Sequence, residues 1–160
     1  MRLLVTSAVL SLLVGSAVGA DDVSVFNIPE PLAVCLKTVS GRYKISGRIN
    51  PFYLRGDFDG DGRADYAALI TNAKGERGLA ICRAASRAPD IVGAGTALNK
   101  LTDLSFDAWM VFPKGPVEKG VGEGSPPKLL GDAISIIWSE SASALLYWDG
   151  RKFSWYQQGD

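Results

Sequence analysis

The spacing of apolar residues near the start of the chain is that of a short helix. Between Pro29 and Gly41, apolar side chains recur at helical spacing, at Leu32, Cys35, Leu36 and Val39. Proline is well tolerated in the first turn of a helix, and glycine commonly ends one. We therefore expect one short helix here, with Cys35 on its apolar, inward-facing side.

After this helix the apolar positions recur every second residue, which is typical of strands. Residues 48–57 and 65–71 predict two strands that flank an aspartate-rich loop, and residues 78–83 predict the strand that returns after a turn. Together they predict a hairpin unit at about 48–83. Residues 104–112 predict a further strand.

The C-terminal part predicts an antiparallel meander at about 132–157. Three apolar segments follow one another there, and Asp149–Gly150 has the composition of a tight hairpin turn. Because strands outnumber helices and short turns join neighbouring strands, the chain predicts a single α+β domain that is mainly antiparallel β. The short N-terminal helix is expected to pack on the meander, and an all-β fold is the alternative.

A segment rich in proline and glycine precedes the meander. Residues 113–127 hold four prolines and four glycines. This composition resembles that of a flexible surface segment, whereas loops of such length are otherwise uncommon unless they are functional. Mobility is the expected interpretation, and a functional loop is the alternative.

The first 20 residues have the pattern of a signal peptide. Arg2 is their only charged residue, an apolar core occupies Leu3–Val14, and small residues follow up to Ala20. The core is shorter than the roughly 20 apolar residues that span a bilayer, which disfavours a membrane anchor. We therefore expect cleavage of residues 1–20, no membrane insertion afterwards, and a periplasmic or secreted domain formed by residues 21–160.

Charge and composition exclude several classes of function. The chain has 17 basic and 17 acidic residues, and removal of residues 1–20 takes away Arg2, which leaves a net charge of −1. No basic excess is present to neutralise phosphates, so nucleic acid is not an expected partner. Histidine is absent, which excludes Ser-His-Asp and Cys-His mechanisms and most catalytic zinc sites. No residue is identified as catalytic, and the composition favours a non-enzymatic role.

The two cysteines, Cys35 and Cys82, predict a disulfide bond. An even number of cysteines in an exported chain is most simply explained by pairing, because the compartment is oxidising. The alternative is a pair of separate, buried thiols.

The segment from Gly56 to Tyr66 reads G-D-F-D-G-D-G-R-A-D-Y. Carboxylates occupy loop positions 1, 3, 5 and 9, which are Asp57, Asp59, Asp61 and Asp65. Calcium takes about six to eight oxygen ligands, and short carboxylates two residues apart can converge on one ion. Gly62 permits the sharp turn that this convergence needs. The backbone carbonyl of Arg63, at position 7, is expected to supply another oxygen while its side chain points outward.

This strand–D-x-D-x-D-G-x-x-D–strand pattern resembles the calcium loop of FG-GAP and VCBS-type repeats. The resemblance covers Tyr53–Thr71 and implies that the four aspartates and the Arg63 carbonyl bind one calcium ion. Position 12 is Ala68, where an EF-hand has a bidentate glutamate. A propeller needs several such blades, and this chain has one motif, so the adhesion function of the family is not implied.

The alternative interpretation of the loop is an acidic turn that is merely solvated. Four carboxylates within nine residues repel one another unless a cation neutralises them, which favours a metal ion. Calcium is favoured over magnesium because the loop offers more protein oxygens than magnesium normally accepts.

Three functions follow from these observations. The favoured one is an exported, calcium-stabilised, non-enzymatic binding module for an unidentified protein or cell-envelope ligand. The second is an inhibitor of a foreign exported enzyme, with residues 113–127 as a protruding probe. The third is a hydrolase that uses acidic residues, which needs two carboxylates facing each other at about 5–10 Å. The conspicuous carboxylates are instead placed in the metal loop.

Overall fold

The computed structural model describes residues 27–121 and 124–159. These form one helix and nine strands arranged in two antiparallel sheets, which confirms the predicted α+β class with its excess of β-structure. The predicted signal peptide and the predicted start of the mature chain lie outside the described residues. Within the described part, no helix combines the length and the apolar character that a membrane span requires.

The predicted N-terminal helix is α1, Glu30–Lys37. Pro29 takes the N-cap position and a second proline lies in the first turn, where a missing N–H costs no hydrogen bond. An acidic residue in the first turn and a basic one in the last both favour the helix dipole. Leu32 and Leu36 are buried, so α1 packs one apolar face on the protein.

The first sheet has five strands: β1 Tyr43–Ile45, β2 Tyr53–Gly56, β3 Asp65–Asn72, β4 Arg77–Cys82 and β5 Asp90–Gly93. Strand β3 is central. Its two halves pair along one edge with β2 and then with β1, its other edge pairs with β4, and β4 pairs with β5. The loop of residues 57–64, called the aspartate loop below, connects β2 to β3. The first sheet therefore fixes both ends of that loop.

Strand β3 is buried on both faces. Ala67 and Leu69 belong to the core between the two sheets, while Ala68 and Ile70 pack under α1. Successive side chains of a strand point to opposite faces. A strand covered on both sides therefore reads as an almost continuous apolar run, as this segment does.

The second sheet has four strands: β6 Ala108–Phe112, β7 Ala133–Trp138, β8 Ala142–Trp148 and β9 Phe153–Gly159. They pair in chain order as an antiparallel meander. Ile134, Ile136 and Leu146 face the first sheet across the main core. The predicted C-terminal meander therefore exists, extended by β6, and it packs on the first sheet. The expectation that the helix packs on this meander is wrong: α1 contacts the opposite face of the first sheet, because its apolar side meets Ala68, Ile70 and Ala80 there.

The disulfide between Cys35 and Cys82 is present, as the sequence predicted. It joins α1 to the end of β4, and both cysteines are buried. A disulfide is compatible with an exported protein.

Two predicted strands are shorter in the structure than in the sequence pattern. The strand predicted at 48–57 is confined to β2, because Pro51 in the segment before it has no N–H to donate to a neighbouring strand. The strand predicted at 104–112 is confined to β6. Leu104 and Phe106 are nevertheless buried, since they fill the main core from a loop. Burial alone, without pairing, explains their apolar character.

The segment at 113–127 is not an open projection over the part that the structure describes. Val117 is buried together with Leu129 on the outer face of the second sheet. The N–H of Gly120 donates to the hydroxyl of Tyr156 at 2.9 Å. The prediction of a mobile surface loop did not anticipate this contact, because two scattered apolar residues do not register as a pattern.

Candidate metal centre

The aspartate loop brings three carboxylates together. One ligand oxygen from each of Asp57, Asp59 and Asp61 lies within 4.8 Å of the others. The loop begins where β2 ends at Gly56 and closes where β3 begins at Asp65, and these two residues are paired in the sheet. The three side chains come from alternate residues of one tight loop, as the spacing predicted.

Asp57 organises the loop through its carboxylate. Its Oδ1 accepts the N–H groups of Gly60 and Asp61 at 2.8 and 3.0 Å, and its Oδ2 accepts the N–H of Gly62 at 3.0 Å. Gly60 and Gly62 have φ values of +79° and +83°, in the left-handed region that glycine enters without strain. Local hydrogen bonds of this kind favour a turn over continued strand.

Asp61 is paired with Arg63. Its Oδ1 accepts the backbone N–H of Arg63 at 2.8 Å, and its Oδ2 accepts the guanidinium Nε and Nη2 at 2.9 and 2.5 Å. These bonds lower the pKa of Asp61. The Arg63 side chain is exposed, but it folds back on Asp61 instead of pointing away from the loop. It supplies a positive charge beside the carboxylates.

Asp59 meets a second arginine, Arg83, which follows β4. The Oδ2 of Asp59 lies 3.5 Å from Arg83 Nη1, and Arg83 Nε donates to Asp90 Oδ2 at 2.7 Å. The guanidinium carbon lies 4.2 Å from the centroid of the Trp148 ring, a cation–π contact. Arg83 therefore links the aspartate loop, the first sheet and the second sheet. No local pattern marks this role, because Asp59 and Trp148 are distant from Arg83 along the chain.

Asp65 lies beneath the loop and is fully buried. Its Oδ2 accepts the N–H of Phe58 at 2.9 Å and its Oδ1 accepts the N–H of Ala84 at 2.7 Å. Burial raises the pKa of Asp65, the charge of Asp59 adds to the rise, and the backbone hydrogen bonds oppose it. The structure therefore groups three of the four predicted carboxylates and places the fourth as an anchor below them. A ligand role for Asp65 and for the Arg63 carbonyl stays a prediction.

The loop also touches the second sheet. Asp132, just before β7, accepts the N–H of Asp57 on Oδ2 at 3.1 Å and donates its own N–H to the Asp57 carbonyl at 2.7 Å. A Cβ atom on Gly60 would lie 2.3 Å from the carbonyl oxygen of Leu130. The aspartate loop therefore contacts the segment that leads into the second sheet. Asp132 lies 75 residues from Asp57 in the chain, so no local signal could have identified it.

A cluster of this kind can bind a metal ion. Three carboxylates on one short loop present oxygen atoms, the ligands that hard cations prefer. Bringing their charges together costs free energy, which Arg63 and Arg83 offset in part. The identity of the ion does not follow from three carboxylates alone.

Comparison with known proteins returns no relative. No family model, no curated protein and no solved structure matches the chain. The resemblance to the FG-GAP and VCBS loop therefore rests on the loop residues alone. What the structure supports is the coarser statement, that Asp57, Asp59 and Asp61 could hold a metal ion.

Proposed function

We propose that this chain is an exported, non-enzymatic binding module that a structural calcium ion stabilises. The observation that carries the proposal is the convergence of Asp57, Asp59 and Asp61 on one point of a loop that both sheets contact. The partner is a protein or a cell-envelope ligand. Nucleic acid is not proposed, because the chain carries no basic excess.

Calcium fits the loop better than magnesium does. Magnesium demands near-octahedral geometry, dehydrates reluctantly and normally uses one or two carboxylates, whereas calcium accepts more protein oxygens at variable geometry. The proposed ligand set contains Asp57, Asp59, Asp61 and Asp65 with the Arg63 carbonyl, so it offers at least five protein oxygens. For Arg63, the proposal requires only its carbonyl; the side chain remains on Asp61 or turns to solvent.

The proposed role of the ion is structural. A catalytic metal keeps an open position for substrate and usually works beside a general base. Here the ligands belong to one contiguous loop, and the chain contains no histidine to act as a base. The loop sits between β2, β3 and the residues before β7. An ion there relieves repulsion between carboxylates and fixes the junction of the two sheets.

Calorimetric titration of the mature protein with calcium tests the proposal. We expect one site in the wild type and a rise in melting temperature on saturation. Asp59→Ala should abolish both effects. Asp107→Ala is the matched control, because Asp107 lies just before β6, accepts the Ser139 N–H at 2.8 Å and is distant from the aspartate loop in the chain.

Two results would contradict the proposal. The absence of both calcium heat and thermal stabilisation in the wild type would remove the metal site. An activity that disappears in Asp61→Asn, while the melting temperature in calcium stays unchanged, would make the ion catalytic and not structural.

A further inference from the structure

One carboxylate joins the aspartate loop to the segment that follows β6. The Oδ2 of Asp132 accepts the N–H of Asp57, and its Oδ1 accepts the N–H of Lys114 at 3.0 Å. Both oxygens are thus engaged by backbone groups that belong to different parts of the chain. The first residue of the aspartate loop and the first residues after β6 are held by the same side chain.

The backbone contact around Asp132 is close. A Cβ atom on Gly131 would lie 2.2 Å from the carbonyl oxygen of Asp57, and one on Gly60 would lie 2.3 Å from that of Leu130. No side chain can be inserted between these backbones without a shift. A displacement of the aspartate loop must therefore move Asp132 as well.

The segment 114–121 is anchored at its far end to β9. The N–H of Gly120 donates to the Tyr156 hydroxyl, and the N–H of Val121 donates to the Gln158 carbonyl at 3.2 Å. Val117 is buried between these ends. Within the part of the chain that the structure describes, the near end is held by the hydrogen bond from Lys114 to Asp132 and by chain connectivity to β6.

We propose that Asp132 is a positioning residue that couples ion binding in the aspartate loop to the order of segment 114–121. The inference rests on the proposed function, since it concerns the response to the ion. An ion that draws Asp57, Asp59 and Asp61 together holds the Asp57 backbone in place. Asp132 transmits that restraint to Lys114, because its carboxylate bridges the two N–H groups.

The substitution Asp132→Asn separates this role from simple packing. Asparagine has the same shape, but only its oxygen accepts a hydrogen bond, while its amide nitrogen is a donor. One of the two backbone N–H groups must therefore lose its acceptor. Asp107→Asn is the matched control, because it makes the same change at a carboxylate that, among the described residues, accepts one N–H, that of Ser139.

The experiment measures amide hydrogen exchange by NMR, together with calorimetric calcium titration, on the purified chain. In the wild type, calcium should slow exchange at Asp57, at Lys114 and through 114–121. In Asp132→Asn the calcium affinity should fall by about fivefold or more, within the usual range of coupling between sites. Calcium should then no longer slow exchange at 114–121, whereas Asp107→Asn should behave as the wild type.

Lys114→Pro examines the same bridge from its other end. It deletes the N–H that Asp132 accepts and leaves the Asp132 charge in place. Calcium protection of 114–121 should disappear, with a smaller loss of affinity than in Asp132→Asn. If Asp132→Asn does not fold, Lys114→Pro alone tests whether the bridge couples ion binding to segment 114–121.

The outcomes separate the inference from the proposed function. Calcium binding without added protection at 114–121 in the wild type, or unchanged protection in Asp132→Asn or Lys114→Pro, overturns the inference and leaves the calcium site intact. A wild type that binds no calcium overturns both.

Discussion

At the scale of single residues, the glycines of the aspartate loop meet two different demands. Gly60 has φ +79° and lies so close to Leu130 that a Cβ atom would be 2.3 Å from its carbonyl oxygen. Gly75, in the turn between β3 and β4, has φ +80° but open space where a Cβ would be. The two positions therefore share a backbone conformation and differ in crowding.

We predict that Gly60→Ala is much more destabilising than Gly75→Ala. The left-handed conformation costs both variants about 1–2 kcal/mol. Gly60→Ala adds a backbone clash, which costs typically a further 1–3 kcal/mol in a packed region. Urea denaturation in the presence of a chelator measures both, so that metal binding does not enter. Equal losses of stability would show that the Gly60–Leu130 contact can relax freely.

Asp149 gives a prediction about pH. It lies in the β8–β9 turn, where its carboxylate accepts the Ser154 hydroxyl at 2.6 Å and the N–H groups of Arg151 and Lys152 at 2.8 and 2.9 Å. These bonds lower its pKa to about 2. A carboxylate with a depressed pKa in the folded state stabilises the fold above its unfolded pKa, which is about 3.9. That stabilisation is lost as the pH falls from about 4 through about 2.

The difference in unfolding free energy between the wild type and Asp149→Asn should accordingly be constant above pH ~5 and shrink towards pH ~2. Denaturant unfolding at several pH values measures it. Ser154→Ala removes the largest cause of the lowered pKa, so in that background the pH-dependent part of the difference should be smaller and its decline should end at a higher pH, while its onset near pH ~4 stays the same. A difference independent of pH would contradict the turn geometry.

At the scale of elements, α1 depends on the first sheet. It is eight residues long, shorter than isolated helices that are stable in water. Its buried face packs on Ala68, Ile70 and Ala80, and the disulfide fixes it to β4. Packing and the covalent link, more than helix propensity, hold this element in place.

We predict that the double variant Cys35→Ser/Cys82→Ser loses about 4 kcal/mol of unfolding free energy, the value expected on the loop-entropy model for a closed loop of this length. The two cysteines are 47 residues apart, so the bond restricts a large part of the unfolded chain. Urea denaturation of the variant and of the wild type, with and without reductant, measures the loss. If the bond resists reduction in the folded protein, the wild type in reductant still carries it. An unchanged stability of that sample then shows that the reagent itself has no effect. A variant as stable as the oxidised wild type would contradict the prediction.

At the scale of the whole molecule, the aspartate loop lies where the two sheets meet. Phe58, inside the loop sequence, is fully buried in the main core, which also contains Leu146 of the second sheet. Arg83 reaches Trp148, and Asp132 reaches Asp57. An ion bound in this loop would therefore stabilise the junction of the sheets in addition to one hairpin.

We predict that chelation lowers the melting temperature by several degrees. Ligand binding stabilises the folded state by about 2.7 kcal/mol when calcium exceeds the dissociation constant 100-fold. Extracellular calcium modules often bind at ~0.1–1 mM, so partial saturation reduces the effect. Differential scanning calorimetry in calcium, in magnesium and in chelator measures it, with Asp59→Ala as the control that should not respond. Equal stabilisation by magnesium would argue against calcium selectivity.

Much of the site could be predicted because it is local. Asp57, Asp59 and Asp61 are alternate residues, and glycine next to them permits the tight turn, so a window of a few residues contains the geometry. The antiparallel pairing of β7, β8 and β9 was likewise predictable, since short turns join consecutive strands. The disulfide followed from composition and expected compartment, because two cysteines allow one pairing.

Contacts between distant segments were decided only by the tertiary structure. Asp132 and Arg83 reach the loop from 75 and 24 residues away, and no periodicity marks a hydrogen bond or an ion pair of that range. Leu104 and Phe106 are buried from a loop, where an apolar pattern cannot distinguish core filling from strand pairing. The sequence alone determined the local chemistry of the aspartate loop. The packing of one sheet on the other determined its surroundings, because burial and long-range pairing depend on which surfaces meet.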